Sequence, residues 1–401
     1  MGLYSDYLDN PTLHNDFNAL TAERKKQLNR ISKLRGNRDV LVFATDISKG
    51  ILGNLGGLLS IGYPDILPIT DQLSNLKGKQ LDLILETPGG FGEVTEDIVR
   101  LIRQRYESFA VVVAGWAKSA GTILAMAADE ILMGPTSALG PIDAQLVWQN
   151  KQFSAEALLE GVKQIKEEVQ KTGVLNKAYI PILQNISPGE LQDAQNALDF
   201  ATGLVTHWLA ENKFKDWNQH TDGQQVTPEE RTQRARGIAD ELCDHKKWQT
   251  HGRSIKIQDL EAMRLKITDY SKDAELGDAI ARYYALLQMT FATNIYKLYE
   301  TPSSQILKTL LPPPGLQQLP LGVPPGVQPI AGGGKAYMNF VCTNCKTVTP
   351  LQANLGQPQP LDPGRALFPK DNKLQCPKCG KIHDLATVRK QLETQSKLPV
   401  V

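Results

Sequence analysis

The sequence predicts an α/β fold built on a parallel sheet and joined to a small C-terminal domain. Three runs, residues 39–45, 81–85 and 110–114, are rich in aliphatic and β-branched residues, as expected for strands buried on both faces of a parallel sheet. The amphipathic stretch 93–105 is interpreted as the crossover helix between the last two strands. Two closely spaced cysteine pairs near the C-terminus predict the second domain.

Composition bounds the function classes. The 401 residues are 41% hydrophobic and 22% charged, which is enough to bury a sizeable core in one large domain with an appendage. With a formal net charge of +1, the chain as a whole has no strong electrostatic attraction to nucleic acid or to an acidic membrane. Residues 1–38 contain no apolar signal region, and glycines, Asn54 and Pro64 interrupt the apolar stretch 50–70. We therefore expect a cytoplasmic protein with no membrane partner.

Composition shifts along the chain predict four segments. Residues 1–37 are charge-rich with an apolar helical stripe, and they are interpreted as an N-terminal helical extension. The α/β domain is assigned to 38–300. Residues 301–334 contain the Pro- and Gly-rich stretch 311–334 and are assigned to a linker, which leaves 335–401 as the C-terminal domain.

Helical patterns beyond the third strand predict a cap over the sheet. They cover residues 155–171, 188–212 and 227–243, the last opening with a Thr-Pro-Glu-Glu start. Residues 273–299 carry aromatic and aliphatic residues all around a helical wheel. This stretch is interpreted as one long internal helix, with an oligomer contact as the alternative.

Small residues at two strand ends indicate an acyl-transfer site. Ser119 follows the third strand at a strand-to-helix turn, where a hydroxyl can act as a nucleophile. Backbone N–H groups of Gly89, Gly90 and Ala120 are the predicted oxyanion donors. The alternative is that Ser119 only caps the helix that follows it.

Four motifs in this order resemble those of a known family. They are residues 87–90, 117–122, 127–131 and 139–145, and the resemblance covers about 38–290. They resemble the Clp-protease/crotonase superfamily and, within it, the serine dehydrogenase proteinases, soluble relatives of signal peptide peptidase A. The resemblance implies a ββα superhelix core with a helical cap, peptide or protein substrates, and a homo-oligomer.

Sequence spacing from Ser119 does not identify the general base. Clp proteases place a histidine soon after the nucleophile, but residues 139–143 contain none. Signal peptide peptidases use a downstream lysine, and the resemblance therefore points to Lys177, which lies within the apolar stretch 174–180. The remaining candidates for the base are Lys171, His207 and His251.

Three residues near this site receive other interpretations. Lys118 adjoins the serine and is poorly placed as its base, so it is assigned to substrate binding. Asp143 is interpreted as capping a turn, with orientation of a base as the alternative. His251 belongs to a segment that resembles one in the family, and it is interpreted as structural or substrate-lining.

The C-terminal cysteines predict a metal site. Cys342, Cys345, Cys376 and Cys379 form two Cys-x-x-Cys pairs, whose four thiolates suit a structural Zn²⁺ in a zinc ribbon. Two disulfides are the alternative, disfavoured because nothing places the chain in an oxidising compartment. His383 is left out because four cysteines complete the ligand set. The lysines around the pairs allow the ribbon to dock a protein or a nucleic acid.

These observations predict a cytoplasmic Clp-fold serine peptidase that uses Ser119 with a lysine base. The first alternative is a non-catalytic scaffold or adaptor that acts through its zinc ribbon. A crotonase-type acyl-CoA enzyme is the second alternative. It is disfavoured because that group does not generally need a serine at position 119.

Overall fold

The computed structural model describes residues 2–52, 56–148, 151–310, 328–329, 335–345, 347–396 and 398–401. The chain divides into two compact units, Met1–Thr309 and Leu310–Val401. Most of the Pro- and Gly-rich stretch assigned to a linker lies outside the described residues. Residues 305–309, which the sequence assigns to that linker, form an edge strand of the first unit.

Eleven strands are described in the first unit. They are β1 (Asp39–Thr45), β2 (Gln80–Glu86), β3 (Ser108–Val113), β4 (Trp116–Ala117), β5 (Glu130–Met133), β6 (Ala138–Leu139), β7 (Gln145–Trp148), β8 (Lys151–Ser154), β9 (Thr268–Asp269), β10 (Ile295–Glu300) and β11 (Gln305–Thr309). Seven of them form one sheet in the order β11-β10-β1-β2-β3-β5-β9. The five strands from β1 to β9 in this order are parallel, whereas β10 and β11 add to the edge in antiparallel pairs.

The helices of this unit follow the same convention. They are α1 (Leu3–Leu8), α2 (Pro11–Asn15), α3 (Phe17–Leu34), α4 (Gly56–Leu59), α5 (Ile66–Ser74), α6 (Gly92–Arg105), α7 (Ala120–Met126), α8 (Ala155–Thr172), α9 (Ile180–Leu183), α10 (Pro188–Trp208), α11 (Pro228–Cys243), α12 (His245–Trp248), α13 (Ile257–Ala262) and α14 (Ala274–Phe291). Within the described part of the chain, no helix is long and apolar enough to cross a bilayer.

The sheet confirms the predicted α/β class. The three predicted strands are β1, β2 and β3 at its centre, and α6 is the crossover helix between β2 and β3. Successive residues of β1 point to opposite faces: Leu41 and Phe43 pack with α6 and α7, whereas Val40 and Val42 pack with α3 and α14. Because both faces are covered, the central strands are mostly apolar, with Asp82 and Glu86 of β2 as buried charged exceptions. The cap helices α10 and α11 join the core of the first face.

The prediction of one helix over residues 273–299 is wrong. Helix α14 ends at Phe291, and β10 then runs antiparallel to β1. Consecutive residues of β10 are buried on opposite faces of the sheet, Leu298 on one and Tyr299 on the other. A stretch that is apolar on every side fits a strand buried on both faces of a sheet as well as a buried helix. Its hydrophobic pattern therefore cannot distinguish a strand from a helix.

The N-terminal extension is anchored by a buried ion pair. It forms α1, α2 and α3 rather than a single helix. Arg24 of α3 has no exposed surface, and its Nε lies 3.2 Å from Oε2 of Glu300 in β10. The same guanidinium donates to Thr290 Oγ1 at 2.6 Å, and the Tyr283 hydroxyl donates to Glu300 at 2.9 Å. These bonds compensate both buried charges.

The second unit is a small β-rich module. Its elements are β12 (Gln328–Pro329), β13 (Lys335–Val341), β14 (Val348–Asn354), β15 (Ala366–Leu367), β16 (Lys373–Gln375), β17 (Ile382–Asp384) and α15 (Ala386–Ser396). Strands β13 and β14 pair antiparallel, as do β16 and β17. A compact apolar cluster that includes Met338, Leu351 and Leu385 forms its core.

Candidate active site and metal centre

The segment that follows β2 lies against the segment that carries Ser119. The Thr87 N–H donates to Trp116 O at 2.9 Å, and the Lys118 N–H donates to Thr87 O at 3.0 Å. Gly89 has φ +105°, and a Cβ at this position would lie 2.6 Å from the Cβ of Ser119. Because no real Cβ contact is that short, only glycine fits here. The two motifs predicted from separate strand ends are therefore in direct contact.

Ser119 occupies a strained turn. Its backbone has φ 51° and ψ −116°, values outside the normal regions for a residue with a side chain. It precedes α7, but its hydroxyl makes no capping hydrogen bond. The capping role is therefore absent, and the hydroxyl is partly exposed. A strained backbone costs about 1–3 kcal/mol and is concentrated at functional sites.

Two backbone amides of the predicted oxyanion set have no acceptor among the described residues. Among the described residues, none accepts a hydrogen bond from the N–H of Gly90 or Ala120. The N–H of Gly89 already donates to Thr87 Oγ1 at 3.1 Å. Of the three predicted oxyanion donors, Gly89 is therefore the one whose N–H is already used, and what it provides at this contact is the space left by its missing side chain.

A buried ion pair anchors the segment that pairs with Gly90. The Ile61 N–H donates to Gly89 O at 2.7 Å, and Ile61 pairs with Gly90 as an isolated bridge. Just beyond it, the Asp65 carboxylate accepts from the Gly62 N–H at 2.9 Å and from Lys297 Nζ at 2.9 Å. Both Asp65 and Lys297 are buried, so this pair fixes the segment against the sheet.

The Lys118 side chain turns toward neighbouring loops. Its Nζ donates to Leu139 O at 3.2 Å, to Arg253 O at 3.0 Å and to Ser254 Oγ at 3.2 Å. Burial lowers the pKa of Lys118 to about 8, and the charge of Lys256 acts in the same direction. The contacts bring the 250–255 segment next to the serine turn, and they occupy Lys118 with protein groups.

The structure brings Asp143 and two histidines together. Asp143 is buried, and its Oδ2 lies 3.4 Å from His245 Nδ1 and 3.7 Å from His251 Nδ1. Gln145 Nε2 donates to the same oxygen at 2.6 Å. Burial disfavours the charged form of Asp143, yet its pKa lies below the ordinary value because contacts with His251 and Ser154 stabilise the carboxylate. This arrangement suits a carboxylate that orients an imidazole.

The sequence analysis did not predict that Asp143, His245 and His251 lie together. His251 lies four residues before Ile255, which forms an antiparallel bridge with Leu139. That bridge places the histidine segment beside the loop that leads to Asp143. The available signal was chain order, because serine, then acid, then histidine is the order of the α/β-hydrolase triad.

The other candidate bases are solvent-exposed. Lys177 lies on a 3₁₀ turn, Lys177–Tyr179, and its side chain is exposed. Lys171 is exposed in the last turn of α8, and His207 is exposed near the end of α10. The expectation that apolar neighbours bury Lys177 is wrong, because Val174 and Ile180 are themselves exposed.

Exposed aromatic side chains lie on the two segments that carry Gly90 and Ser119 and on the segment that pairs with Gly90. Phe91 follows Gly90 directly and is 59% exposed, and Trp116, before the serine turn, is 43% exposed. The Tyr63 ring lies 6.5 Å from that of Phe91 and is also exposed. An exposed apolar surface of this kind is suited to binding apolar side chains of a substrate.

The four cysteines of the second unit converge. The Sγ atoms of Cys342, Cys345, Cys376 and Cys379 all lie within 4.8 Å of one another. Two pairs are 3.6 and 3.5 Å apart, close to the edge of about 3.8 Å that a tetrahedral Zn–S₄ site requires. His383 Nε2 lies 3.3 Å from Cys342 Sγ, so it adjoins the cluster. The donor set fits a metal ion that prefers thiolates.

Comparison with family models gives one match to the first unit. Residues 11–198 match the model of the ClpP-like SDH-type serine proteinases. The matched part includes Ser119 and Asp143, whereas His251 lies beyond it. The second unit lies wholly outside the match.

Curated relatives and solved structures cover parts of the chain. Two uncharacterised proteins of Methanocaldococcus jannaschii are 31% identical over 140 residues and 34% identical over 89 residues. These matches cover 35% and 22% of this chain but only 44% and 29% of the relatives. The chain therefore spans less than half the length of the curated relatives that it matches.

Two solved chains of the 1510-N membrane-bound stomatin-specific protease also align. One, a complex with a substrate peptide, has a TM-score of 0.29 at 15% identity and covers 51% of this chain and 66% of that chain. The other has a TM-score of 0.22 at 18% identity and covers 52% of this chain and 88% of that chain. At these TM-scores, the two structures do not define the fold of this chain.

Proposed function

We propose that this chain is a ClpP-like SDH-type serine proteinase that hydrolyses peptide bonds through Ser119. The observation that carries the proposal is the strained Ser119 turn, held against Gly89 and flanked by free amides. The family match to residues 11–198 supports the same reaction class. Two Cys-x-x-Cys pairs that need reduced thiolates support a cytoplasmic setting.

The chemistry follows from the geometry. Ser119 Oγ attacks the substrate carbonyl carbon while a base takes the hydroxyl proton. The Gly90 and Ala120 N–H groups donate to the oxyanion that develops. The C–N bond then breaks, the proton passes to the leaving amine, and an acyl-Ser119 ester remains. Water, deprotonated by the same base, hydrolyses this ester and restores the serine.

We assign the base to His251, oriented by Asp143. The 3.7 Å separation between His251 Nδ1 and Asp143 Oδ2 is long for a hydrogen bond, but catalytic contacts often tighten only when substrate binds. In this arrangement, His251 Nδ1–H faces the carboxylate and Nε2 accepts the serine proton. Lys177 remains the alternative base, although its side chain is exposed.

Fluorophosphonate labelling tests the nucleophile and the base together. We expect Ser119→Ala to abolish labelling and His251→Gln to slow it by about 100-fold or more. Lys177→Met and the exposed His207→Gln, a matched histidine control, should label within about two-fold of wild type. Loss of labelling in Lys177→Met alone would assign the base to that lysine. Loss in His245→Gln with retention in His251→Gln would transfer the role to His245.

A folded, metal-loaded protein that never labels would support the scaffold alternative. In that case, the second unit would carry the function by binding partners. Deleting residues 335–401 would then remove the partner interactions, whereas a peptidase would keep cleaving short peptides after the deletion.

We further propose that the cysteine cluster holds a structural Zn²⁺. Four thiolates would close its coordination shell and supply stability to a unit with a small core. We assign a docking role for a protein or nucleic acid to this unit. Binding assays with the 335–401 deletion test that role.

A homo-oligomer is the proposed quaternary state. The region after α8 exposes Val174, Ile180 and Ile182, at 69%, 39% and 50% of their surface. Apolar residues exposed together in one region are a feature of subunit contacts. Light scattering of wild type and Ile182→Asp tests this: dissociation of the variant supports the assignment, and a monomeric wild type contradicts it.

A further inference from the structure

A basic cavity lies at the edge of the sheet opposite Ser119. It opens beside the N-terminal ends of β5 and β9, whereas the serine turn follows the C-terminal end of β3. Its volume is about 570 Å³, within the range of small-ligand sites. Four cations and two aromatic residues contribute to its wall: Lys213, Arg234, Arg264, Lys266, Phe214 and Trp217.

The carboxylates of the wall are already neutralised by other residues. Asp129 Oδ2 lies 2.7 Å from Arg103 Nη1, and its Oδ1 lies 2.7 Å from Lys215 Nζ. Glu130 Oε2 lies 2.6 Å from Arg35 Nη2. Since these contacting partners are outside the four cations of the wall, the two acids attract Lys213 only from beyond ion-pair distance.

The four cations themselves lack partners. In the part of the chain that the structure describes, no carboxylate lies within ion-pair distance of Lys213, Arg234, Arg264 or Lys266. Burial lowers the pKa of the half-buried Lys213 to about 8; the charges of Glu130 and Asp129 oppose this shift, and the charge of Lys266 adds to it. Like charges held together without a counter-ion repel one another, so an anion between them would remove this cost.

Lys213 is placed there by an unusual local structure. Helix α10 continues into a π-helical turn, Leu209–Lys213, and Lys213 is its last residue. Such turns are rare and occur frequently at functional sites. Phe214 follows directly and is buried, and its ring packs edge-on with that of Trp217 at 5.9 Å. The aromatic wall therefore adjoins the unpartnered lysine.

We propose that this cavity binds a nucleotide, with its phosphates between Lys213, Arg264 and Lys266 and its base against Trp217. Several convergent cations require a ligand that carries more than one negative charge, and guanidinium and ammonium groups are the usual partners of phosphate. An aromatic side chain stacks with a planar base. The size of the recess limits the ligand to a small molecule.

Titration of the full-length chain with ADP tests the site. Binding is measured by calorimetry and by Trp fluorescence. We expect saturable binding, and Lys213→Met or the exposed Lys266→Met should each weaken it by about ten-fold or more. Lys79→Met removes an exposed cation elsewhere and should change the affinity by less than about two-fold. Because Lys266 is exposed, its variant keeps the test valid if Lys213→Met fails to fold.

Pyrophosphate is the second probe. Binding of ADP at least about ten-fold tighter than pyrophosphate supports the contact of the base with Trp217, and Trp217→Leu should remove that difference. Equal affinity for the two probes would overturn the nucleotide assignment. Absence of saturable binding of both, or binding that both lysine variants leave unchanged, would overturn the site.

Discussion

Gly89 touches Ser119 so closely that no side chain fits between the two residues. A Cβ on Gly89 would lie 2.6 Å from Ser119 Cβ and 2.8 Å from Lys118 O. The contact is between backbone segments from different strand ends, so neither neighbour can rotate out of the way. Position 89 therefore determines where the serine turn lies relative to the free amide of Gly90.

Gly89→Ala should abolish most of the activity. The methyl group would push the Ser119 turn away and strain a residue at φ +105°, so we expect labelling by fluorophosphonate to fall by about 100-fold or more. Gly203→Ala on α10 is the matched control, since a Cβ there meets nothing within 4 Å. It should label normally and be slightly more stable. Normal labelling of Gly89→Ala would contradict the role of this contact.

Lys297→Met should affect stability and activity together. Breaking its buried pair with Asp65 costs about 3–5 kcal/mol, and it frees the segment that pairs Ile61 with Gly90. Chemical denaturation measures the first effect, and the labelling rate under conditions where the variant is folded measures the second.

Arg24→Met provides the comparison for that variant. It breaks another fully buried pair, with Glu300, at a similar cost in free energy of unfolding. The pair lies with α3 and α14, away from Gly90, so the folded variant should label at the wild-type rate. An equal loss of labelling in both variants would mean that only global stability matters.

The free energy of unfolding should depend on pH through Glu86. Burial raises the pKa of this carboxyl from 4.5 to about 8, against the opposing hydrogen bond from Gln288. Between these values the folded state holds a proton that the unfolded state releases. Stability from this group is therefore complete below about pH 4.5 and is lost as the pH rises to about 8, with a slope of at most about 1.4 kcal/mol per pH unit.

Glu86→Gln should remove that slope. The difference in free energy of unfolding between the variant and wild type is expected to grow in favour of the variant from pH 5 to pH 8, as measured by urea titrations. Glu107→Gln, an exposed carboxylate, is the control and should give a nearly constant difference. A constant difference for Glu86→Gln as well would show that Glu86 is ionised throughout.

Metal removal should act on the second unit. Cys376→Ser deletes one of four convergent thiolates, and we expect the bound zinc to fall from about one equivalent per chain toward zero. Since coordination and folding are coupled in small metal domains, the thermal transition of this unit should be lost. Cys243→Ser, a cysteine of α11 outside the cluster, should keep the metal. Zinc content that is unchanged in Cys376→Ser would contradict the site.

Much of the architecture was readable from local patterns. The strands β1, β2 and β3 are predominantly apolar runs, and the turn at Ser119 follows from small residues after a strand. Two Cys-x-x-Cys pairs identify four cysteines that the structure brings together. In each case a few neighbouring residues carry the signal, because burial on both faces, a tight turn and thiolate spacing are short-range requirements.

Other features depended on contacts between distant segments. The stretch Ile295–Glu300 is a strand because it pairs with β1 through backbone hydrogen bonds, although its own hydrophobic pattern also fits a helix. Lys177 is exposed because the apolar residues near it do not pack over it. Periodicity reports which residues prefer burial, but not which surface will bury them.

The sequence by itself determined the fold class, the nucleophile candidate and the metal-ligand candidates, since each rests on residues close together in the chain. Only the tertiary structure decided that Gly89 meets Ser119, that no described residue accepts from the Gly90 and Ala120 N–H groups, and that Asp143 lies beside His245 and His251. These are properties of pairs from different elements, and their distances follow from how the sheet and its loops pack together.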